Sequence, residues 1–254
     1  MMRTVLLQTD IVWGDPEANL KAAESLLASN AGADVYVFPE MFTTGFATQE
    51  GARIDEDPGR TMDWMKARAV EYDAAVAGSI AMRAGEKLVN RFCFVTPDGR
   101  VAVYDKRHLF TYGGEPDRFS AGDRRVVVEY RGVRFLLLVC YDLRFPVWSR
   151  NRDDYDAIII VANWPVVRQD AWETLLKARS IENQCYVLGV NRAGKDPVCD
   201  YLGGSMLLDP YGQVVARCAD NMQGTASGEI DMNLLGDFRK KFPVLGDADK
   251  FQLI

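Results

Sequence analysis

The sequence predicts a single α/β domain, residues 1–254, with mixed sheets and helices on their outer faces. Strand-like and helix-like segments alternate along the whole chain, and hairpin signals interrupt the alternation. No composition shift or Ser/Pro-rich linker marks a domain boundary, and no internal repeat is apparent. With 48% apolar and 26% charged residues, the chain has enough apolar material for a sizeable core.

The first part of the chain contains three predicted strands and two predicted helices. TVLLQT at 4–9 indicates a strand, and the apolar residues of 18–28 recur at helical spacing. VYVFPE at 35–40 indicates a second, buried strand that ends in Pro and Glu. A helix at 61–72 and a strand at 74–81 complete this part.

Two hairpins are predicted next. The segment 91–106 contains two strands around a PDG turn, which is a strong hairpin signal. Strands at 125–130 and 133–141 form a further pair, joined through Arg131 and Gly132.

The last part returns to alternation. A strand at 157–165, a helix at 171–184 and a strand at 185–192 follow one another. A hairpin at 205–217 turns at DPYG, and a final strand and a short helix lie within 225–241.

Charge and hydropathy exclude several classes of protein. The net charge of −6 argues against a general role at nucleic acids or membrane surfaces, which favours a basic face. No segment is long and apolar enough for a transmembrane helix. The start, MMRTVLLQTD, has a single Arg and too short an apolar run for a secretory signal, so we expect a cytoplasmic protein. The five scattered cysteines, without a CxxC pair, fit neither a disulfide framework nor a zinc site.

Three polar residues end buried strands of the predicted sheets: Glu40, Lys106 and Cys140. Each has a structural explanation by itself, because Glu40 could cap a turn, Lys106 could be a solvated edge charge and Cys140 could be a small core residue. Strand ends are also where α/β proteins build their sites. An acid, a base and a thiol at three such ends favour a functional site over three separate coincidences.

The single histidine limits the possible mechanisms. A Cys–His or Ser–His–Asp site would have to use His108, and no GxSxG elbow is present. A histidine-rich metal site is excluded. A carboxylate-rich Mg²⁺ site stays open, although no Asp/Glu cluster has ligand-like spacing. We therefore expect chemistry without a cofactor or metal.

Glu40, Lys106 and Cys140 together form a self-consistent set for acyl transfer. A thiol nucleophile without histidine needs another base, and burial raises the pKa of a carboxylate toward the working range. A nearby ammonium can lower the pKa of the thiol and stabilise an oxyanion. The sequence thus predicts Cys140 as nucleophile, Glu40 as base and Lys106 as the stabilising cation.

Several segments resemble the nitrilase superfamily of carbon–nitrogen hydrolases, in order and spacing, over nearly the whole chain. They are FPEMFTTGF (38–46), YDKRHLF (104–110), LVCYDLRFP (138–146), VANWP (161–165), KARSIENQCYV (177–187) and GGSMLLDPYG (203–212). Within the superfamily, KRHLF, VCYDLRFPVWSRN and ANWP are most similar to the bacterial omega-amidases.

The resemblance implies roles for individual residues. Cys140 matches the nucleophile, Glu40 the general base and Lys106 the residue that steadies the tetrahedral intermediate. Glu115, in TYGGEPDRF, matches a second glutamate beside the lysine. The backbone N–H of Tyr141 would be the other oxyanion donor.

The resemblance also implies a four-layer α-β-β-α sandwich and a homodimer formed through one helical layer. Arg179 and Glu182 in KARSIEN are interpreted as a structural pair on a helix rather than as part of the site.

The implied substrate is a small 2-oxo acid monoamide, such as 2-oxoglutaramate or 2-oxosuccinamate, whose terminal amide is hydrolysed to release ammonia. Arg144 is predicted to hold its carboxylate, unless Arg144 pairs with Asp142 or Asp154 and only shapes the loop. Phe42, Phe46 and Trp164 are predicted to form the apolar wall of the pocket: all three lie in the segments that resemble the family.

Two alternatives stay open at this point. The chain could be an amidase or nitrilase-type hydrolase of another small amide, nitrile or carbamoyl compound. It could also be a homologue that has lost catalysis and only binds, although the complete set of Cys140, Glu40 and Lys106 counts against this.

Overall fold

The computed structural model describes residues 1–48, 52, 54 and 58–252. Two six-stranded sheets lie face to face, and helices cover the outer face of each. The four-layer α-β-β-α arrangement is therefore confirmed.

The strands in the described part of the chain are β1 (Met2–Gln8), β2 (Val35–Val37), β3 (Ala75–Ala84), β4 (Lys87–Val95), β5 (Val101–Asp105), β6 (Val127–Tyr130), β7 (Val133–Val139), β8 (Ala157–Ala162), β9 (Tyr186–Asn191), β10 (Ala193–Lys195), β11 (Asp200–Leu202), β12 (Met206–Leu208), β13 (Val214–Arg217) and β14 (Gly224–Ile230). The α-helices are α1 (Pro16–Ala28), α2 (Pro58–Tyr72), α3 (Pro146–Ser149), α4 (Gln169–Asn183) and α5 (Met232–Lys241). Short 3₁₀ helices occur at Thr111–Gly113, Glu115–Asp117, Cys140–Arg144, Val166–Arg168 and Val244–Asp247.

Each sheet has a parallel centre and antiparallel edges. The first sheet has the order β14-β1-β2-β3-β4-β5, in which β1, β2 and β3 are parallel neighbours. The second has the order β13-β12-β9-β8-β7-β6, with β7, β8 and β9 parallel. Because parallel strands run in the same direction, the carboxyl ends of β7 and β8 lie at the same edge of their sheet.

The main core lies between the two sheets. It joins side chains such as Leu6 and Phe92 of the first sheet to Leu137 and Ile159 of the second. The strands β7, β8 and β9 are almost continuous runs of buried apolar residues, as expected for parallel strands covered on both faces. Their rigid packing fixes the position of the residues that follow them.

The helices close the outer faces. Leu20, Leu27 and Met65 of α1 and α2 pack on the outer face of the first sheet. Trp172 and Leu235, from α4 and α5, join the core on the side of the second sheet. No helix in the described part of the chain is long and apolar enough to span a membrane.

Most predicted elements are present, and the differences have local causes. The helix predicted at 18–28 begins earlier, at Pro16, because the side chain of Asp15 accepts the N–H of Ala18 and Pro is favourable in the first turn. The short pair β10–β11 was not predicted. Its strands have only three residues each, too few to show an alternating pattern.

Candidate active site

Cys140 lies at a sharp turn where β7 ends. The strand stops at Val139, and Cys140 begins a 3₁₀ helix with φ of 47°, a left-handed conformation that costs a residue with a side chain about 1–3 kcal/mol. The turn leaves the thiol at the edge of the sheet, 9% exposed, instead of within the strand. Such a position must be held by the surrounding structure.

The fully buried carboxylate of Asp142 holds this turn. Its Oδ2 accepts the N–H of Val139 at 2.9 Å and the hydroxyl of Tyr104 at 2.7 Å. Its Oδ1 accepts the N–H of His108 at 3.0 Å and lies 2.7 Å from Nδ1 of the same residue. The turn at Cys140 is thereby tied to β5 and to the chain that follows it, in the other sheet.

His108 belongs to this support. Its ring lies 2.7 Å from Asp142 and stacks on Phe145 at 3.8 Å between centroids. No hydrogen bond among the described residues joins it to the thiol. The arrangement of a Cys–His site, which the sequence left possible, is therefore not present.

Lys106 follows β5 and lies between two carboxylates. Its Nζ is 2.9 Å from Oε1 of Glu40 and 2.9 Å from Oε2 of Glu115. All three side chains are completely buried. Glu40 is 66 positions and Glu115 is 9 positions from Lys106 in the chain, and the fold brings both carboxylates to its ammonium. Both glutamates are grouped with Lys106 in the prediction from sequence.

Asn90 and Asn163 complete the cluster, and sequence reasoning missed both roles. The Nδ2 of Asn90 donates to Oε1 of Glu40 at 2.7 Å and to Oε1 of Glu115 at 3.1 Å. The backbone N–H of Asn163 donates to Oε2 of Glu40 at 2.8 Å, and its side chain donates to the carbonyl of the same residue. Asn163 directly follows β8 and lies in the ANWP segment. The resemblance of this segment to the family was the sequence signal that could have indicated its role. The sequence around Asn90 gave no such signal, because Asn90 is a single polar residue inside a strand.

Burial dominates the electrostatics of the cluster. Burial and the neighbouring Glu40 raise the pKa of the Cys140 thiol well above its usual range, against the opposing effect of Lys106. The prediction that Lys106 favours the thiolate is right in sign, but the effect is outweighed. The raised pKa favours the protonated thiol, so a nucleophilic thiolate requires transfer of its proton.

The other two charged groups respond in different ways. Burial lowers the pKa of Lys106, but Glu115 and Glu40 outweigh it and raise the pKa above its usual range. Burial raises the pKa of Glu115, and Lys106 opposes this. The raised pKa of Lys106 favours the ammonium form, which the two carboxylates surround.

The thiol opens into a cavity of about 370 Å³. The walls are mainly apolar, and their aromatic residues include Trp13, Phe46, Phe110, Tyr112, Tyr141 and Trp164. Phe46 and Trp164 are thus where the sequence predicted them, and Tyr141 lies beside Cys140. A cavity of this size and composition suits a small organic ligand with an apolar part.

Phe42 is a correction, because it does not line this cavity. Its ring stacks on Phe38 at 4.8 Å between centroids and packs with Trp64 of α2. The reason is the turn after Glu40, where Met41 has φ of 45° and sends the next side chain into the core on the outer side of the sheet.

Arg144 lines the cavity, with its guanidinium 5.0 Å above the ring of Trp164. The alternative that it pairs with Asp142 or Asp154 is wrong. Asp142 binds Tyr104 and His108, and Asp154 pairs with Arg125. Arg168, which sequence reasoning did not single out, also lines the cavity.

The predicted structural pair on α4 is confirmed. Arg179 lies 2.8 Å from Glu182 and also donates to the carbonyl of Leu143 at 2.6 Å. Arg179 does not line the cavity, and it therefore serves to support the 3₁₀ helix that begins at Cys140. No cluster of His, Cys, Asp or Glu suited to a metal ion occurs among the described residues.

The comparisons with known proteins agree with this geometry. The family model for carbon-nitrogen hydrolase matches residues 3–240. Omega-amidase YafV of Escherichia coli (strain K12) is 46% identical over 254 residues, covering 99% of this chain and 98% of the relative. A 2-oxoglutaramate amidase of Bacillus subtilis (strain 168) is 36% identical and covers 96% of both chains.

A solved structure shows the same fold. It is a CN-hydrolase superfamily protein from Xanthomonas campestris, with an arsenic adduct in its active site. The two structures have a TM-score of 0.96 and 39% sequence identity, over 99% of this chain and 98% of the other.

Proposed function

Because the chain belongs to the carbon–nitrogen hydrolase family, we propose that it is a thiol amidohydrolase of the omega-amidase type. Its substrates are small 2-oxo acid monoamides, such as 2-oxoglutaramate and 2-oxosuccinamate, from which it releases ammonia. The relatives that carry the names omega-amidase and 2-oxoglutaramate amidase cover nearly the whole chain at 36–46% identity. They support this substrate class over other amides.

One observation carries the proposal: the buried thiol of Cys140, which lines one small cavity, lies beside an ammonium and two carboxylates. Lys106 joins Glu40 to Glu115 within 2.9 Å, and the charge of Glu40 acts directly on Cys140. A binding protein has no need of such a costly cluster, because each buried charge must be compensated. The arrangement therefore favours catalysis over a purely binding homologue.

The first half of the reaction forms an acyl-enzyme. Glu40 accepts the proton of Cys140 as the sulfur attacks the amide carbon, so that a C–S bond forms and the carbonyl becomes an oxyanion. Glu40 then gives the proton to the nitrogen, the C–N bond breaks and ammonia leaves. The thioester of Cys140 remains.

The second half uses water in place of the thiol. Glu40 accepts a proton from a water molecule as the water oxygen attacks the thioester carbon. When the C–S bond breaks, the proton returns to sulfur and the carboxylic acid product is released. Lys106 and the backbone N–H of Tyr141 stabilise the oxyanion in both halves, and Glu115 keeps Lys106 in place.

The far end of the substrate requires a cation, because its carboxylate loses water on entering an aromatic cavity. Arg144 meets this need. Its planar guanidinium is held over Trp164 and can bind both carboxylate oxygens. Phe46 and Trp164 cover the carbon chain between the carboxylate and the amide.

Release of ammonia from a panel of amides tests the proposal. The panel contains 2-oxoglutaramate, 2-oxosuccinamate, a neutral short amide, a carbamoyl compound and a nitrile. We expect kcat/KM to be highest for the two 2-oxo acid monoamides. A preference for the nitrile or the carbamoyl compound would assign another substrate within the family, and ammonia from none would indicate a binding protein.

A homodimer in the cytoplasm is part of the proposal. Three apolar side chains lie exposed at or beside α4 and α5. They are Ile181 of α4, Tyr211 in the turn between β12 and β13, and Phe242 directly after α5, which are 48%, 48% and 59% exposed. The ring of Phe238 contacts that of Tyr211 at 4.1 Å and lies 6.5 Å from that of Phe242. Ile181 lies against Gly212, the residue after Tyr211, so these side chains form one patch. A second copy of the chain would cover this patch.

A further inference from the structure

Arg168 is a second guanidinium in the cavity, and the reaction described above gives it no task. It ends the 3₁₀ helix that follows β8, just as Arg144 ends the 3₁₀ helix that follows β7. Since β7 and β8 are parallel neighbours, both helices leave the same edge of the sheet. The fold therefore places two arginines at one cavity in the same way, each at the end of a 3₁₀ helix that follows a strand.

Trp164 connects the two arginines. Its ring lies 5.0 Å below the guanidinium of Arg144, and its Nε1 donates to the backbone carbonyl of Arg168 at 2.7 Å. The guanidinium of Arg168 lies 5.4 Å from the ring of Phe110 and 6.0 Å from that of Tyr112. Both cations thus rest against aromatic walls.

Neither arginine has an acidic partner in the part of the chain that the structure describes. Asp196 is the nearby acid in the cavity wall, but its carboxylate is already engaged. It accepts N–H groups from Val198 and Cys199, at 2.8 Å each, and the hydroxyl of Tyr201 at 2.6 Å. A ligand that displaces water from the cavity must therefore supply the anion for both cations.

We propose that Arg168 determines specificity by holding the carboxylate of the substrate together with Arg144. The inference rests on the proposed function, which supplies a substrate with a carboxylate at the end remote from the amide. Tyr112 and Val167 beside Arg168 are 87% and 81% exposed, so Arg168 acts at the mouth of the cavity. Two cations instead of one make the site selective for anionic amides.

Four amides of the same length separate the contributions of carboxylate and 2-oxo group. They are 2-oxoglutaramate, glutaramate without the oxo group, 4-oxopentanamide without the carboxylate and pentanamide without either. We expect Arg168→Met to lower kcat/KM about 10- to 100-fold for the first two, mainly through KM, and less than about 3-fold for the others. Arg144→Met should discriminate in the same direction.

Two further variants control for charge and folding. Arg124→Met removes the same charge from a side chain that is 91% exposed. We expect kcat/KM for all four amides to be unchanged in this variant. Arg168→Lys keeps a cation and should retain part of the preference for carboxylates. If Arg168→Met folds poorly, Arg168→Gln gives the same comparison between charged and neutral amides.

The outcomes distinguish this inference from the proposed function. If the unaltered enzyme does not prefer the carboxylate-bearing amides, the proposed substrate class is wrong and this inference falls with it. If it prefers them and Arg168→Met keeps the preference, only the role of Arg168 is overturned. Equal losses on all four amides would also overturn it, because they assign Arg168 to structure.

Discussion

At the scale of single residues, one ammonium serves two carboxylates. Lys106 contacts Glu40 and Glu115, and the same cluster contains the thiol of Cys140, whose pKa burial and Glu40 raise. An enzyme with a permanently ionised thiolate would gain reactivity toward any electrophile. In the proposed mechanism the thiolate forms only as Glu40 takes its proton, so nucleophilicity is confined to the moment of attack.

Replacement of Cys140 tests covalent catalysis. We expect Cys140→Ala and Cys140→Ser to lower kcat by about three orders of magnitude or more, because no acyl-enzyme can form. The fold should stay intact, since both residues fit the same turn, and circular dichroism checks this. Mass spectrometry with a slow substrate should place the acyl adduct on Cys140. An adduct on Cys93, Cys185, Cys199 or Cys218 would show that the wrong thiol has been assigned.

Glu40→Gln and Lys106→Ala should both be nearly inactive but should differ in stability. Glu40→Gln removes the proton acceptor, which is worth about 10²–10⁴-fold in rate, and leaves Lys106 neutralised by Glu115. Lys106→Ala leaves two buried carboxylates without a cation and should cost about 3–5 kcal/mol of unfolding free energy.

Urea unfolding of the two variants measures this difference. Asp123→Asn, on a side chain that is 86% exposed, serves as a control for loss of a carboxylate. If Lys106→Ala were as stable as Glu40→Gln, the charges of this cluster would not be balanced in the way described here.

At the scale of structural elements, the turn at Cys140 depends on contacts from three directions. Asp142 binds Tyr104 and His108, and Arg179 of α4 donates to the carbonyl of Leu143. The 3₁₀ helix is therefore fixed from the other sheet and from the outer helical layer. This explains how a residue with φ of 47° is maintained where β7 ends.

Asp142→Asn tests this support. The carboxylate accepts hydrogen bonds at both oxygens, whereas an amide must turn an NH₂ group toward donors at one end. We expect a loss of about 1–3 kcal/mol in unfolding free energy. We also expect a lower kcat with a smaller change in KM, because the thiol is misplaced. Asp123→Asn again provides the exposed comparison. An unchanged kcat would mean that the turn holds its shape without Asp142.

The elements were more predictable from sequence than the side-chain network. Glu40, Lys106 and Cys140 could be found because each ends an apolar run, and apolar runs are visible in one dimension. Phe42 was misplaced because the positive φ of Met41, the residue before it, has no periodic signature. Asn90 was missed since its partner Glu40 lies 50 residues away, and such a pairing exists only after the sheet has formed.

At the scale of the whole molecule, the two helical layers differ in what they expose. The layer of α4 and α5 presents the patch of Ile181, Tyr211 and Phe242. The other layer exposes Val70 of α2, with 64% of its surface accessible. The proposed homodimer uses the first layer, because apolar side chains there contact one another.

A double substitution tests the assembly. We expect Tyr211→Asp with Phe242→Asp to convert dimers to monomers at micromolar concentration, since burying two carboxylates in an interface is costly. Light scattering coupled to size-exclusion chromatography measures the mass. Val70→Asp, on the opposite layer, should leave the dimer intact. If Val70→Asp alone dissociates it, the dimer forms through α2 instead.

Buried thiols predict loss of stability in alkali. Burial raises the pKa of Cys93 to about 12 and that of Cys218 to about 11, and it also raises the pKa of Cys140 and Cys185. The pKa of an unfolded thiol is near 8.5. Each unit by which the folded pKa exceeds this value is worth up to about 1.4 kcal/mol of unfolding free energy. Their contribution is therefore complete below about pH 8.5. It is lost as the pH rises toward the folded values.

Urea unfolding at pH 8, 9 and 10 measures this loss. The free energy of unfolding should fall more steeply at each step, and Cys218→Ala should make the dependence shallower. A constant free energy between pH 9 and pH 10 would show that the thiols titrate alike in both states.

The pairing of β1 with β14 has a consequence for how the protein is made. Met2 of β1 lies opposite Ile230 of β14. Strand β1 therefore leaves the ribosome early, and its neighbour β14 leaves it after the other strands described here. A nascent chain that stops before residue 224 already holds Glu40, Lys106, Glu115 and Cys140 but leaves β1 as an open edge. Such edges recruit strands from other chains, so chaperones have most to protect in the interval before β14 has emerged and paired with β1.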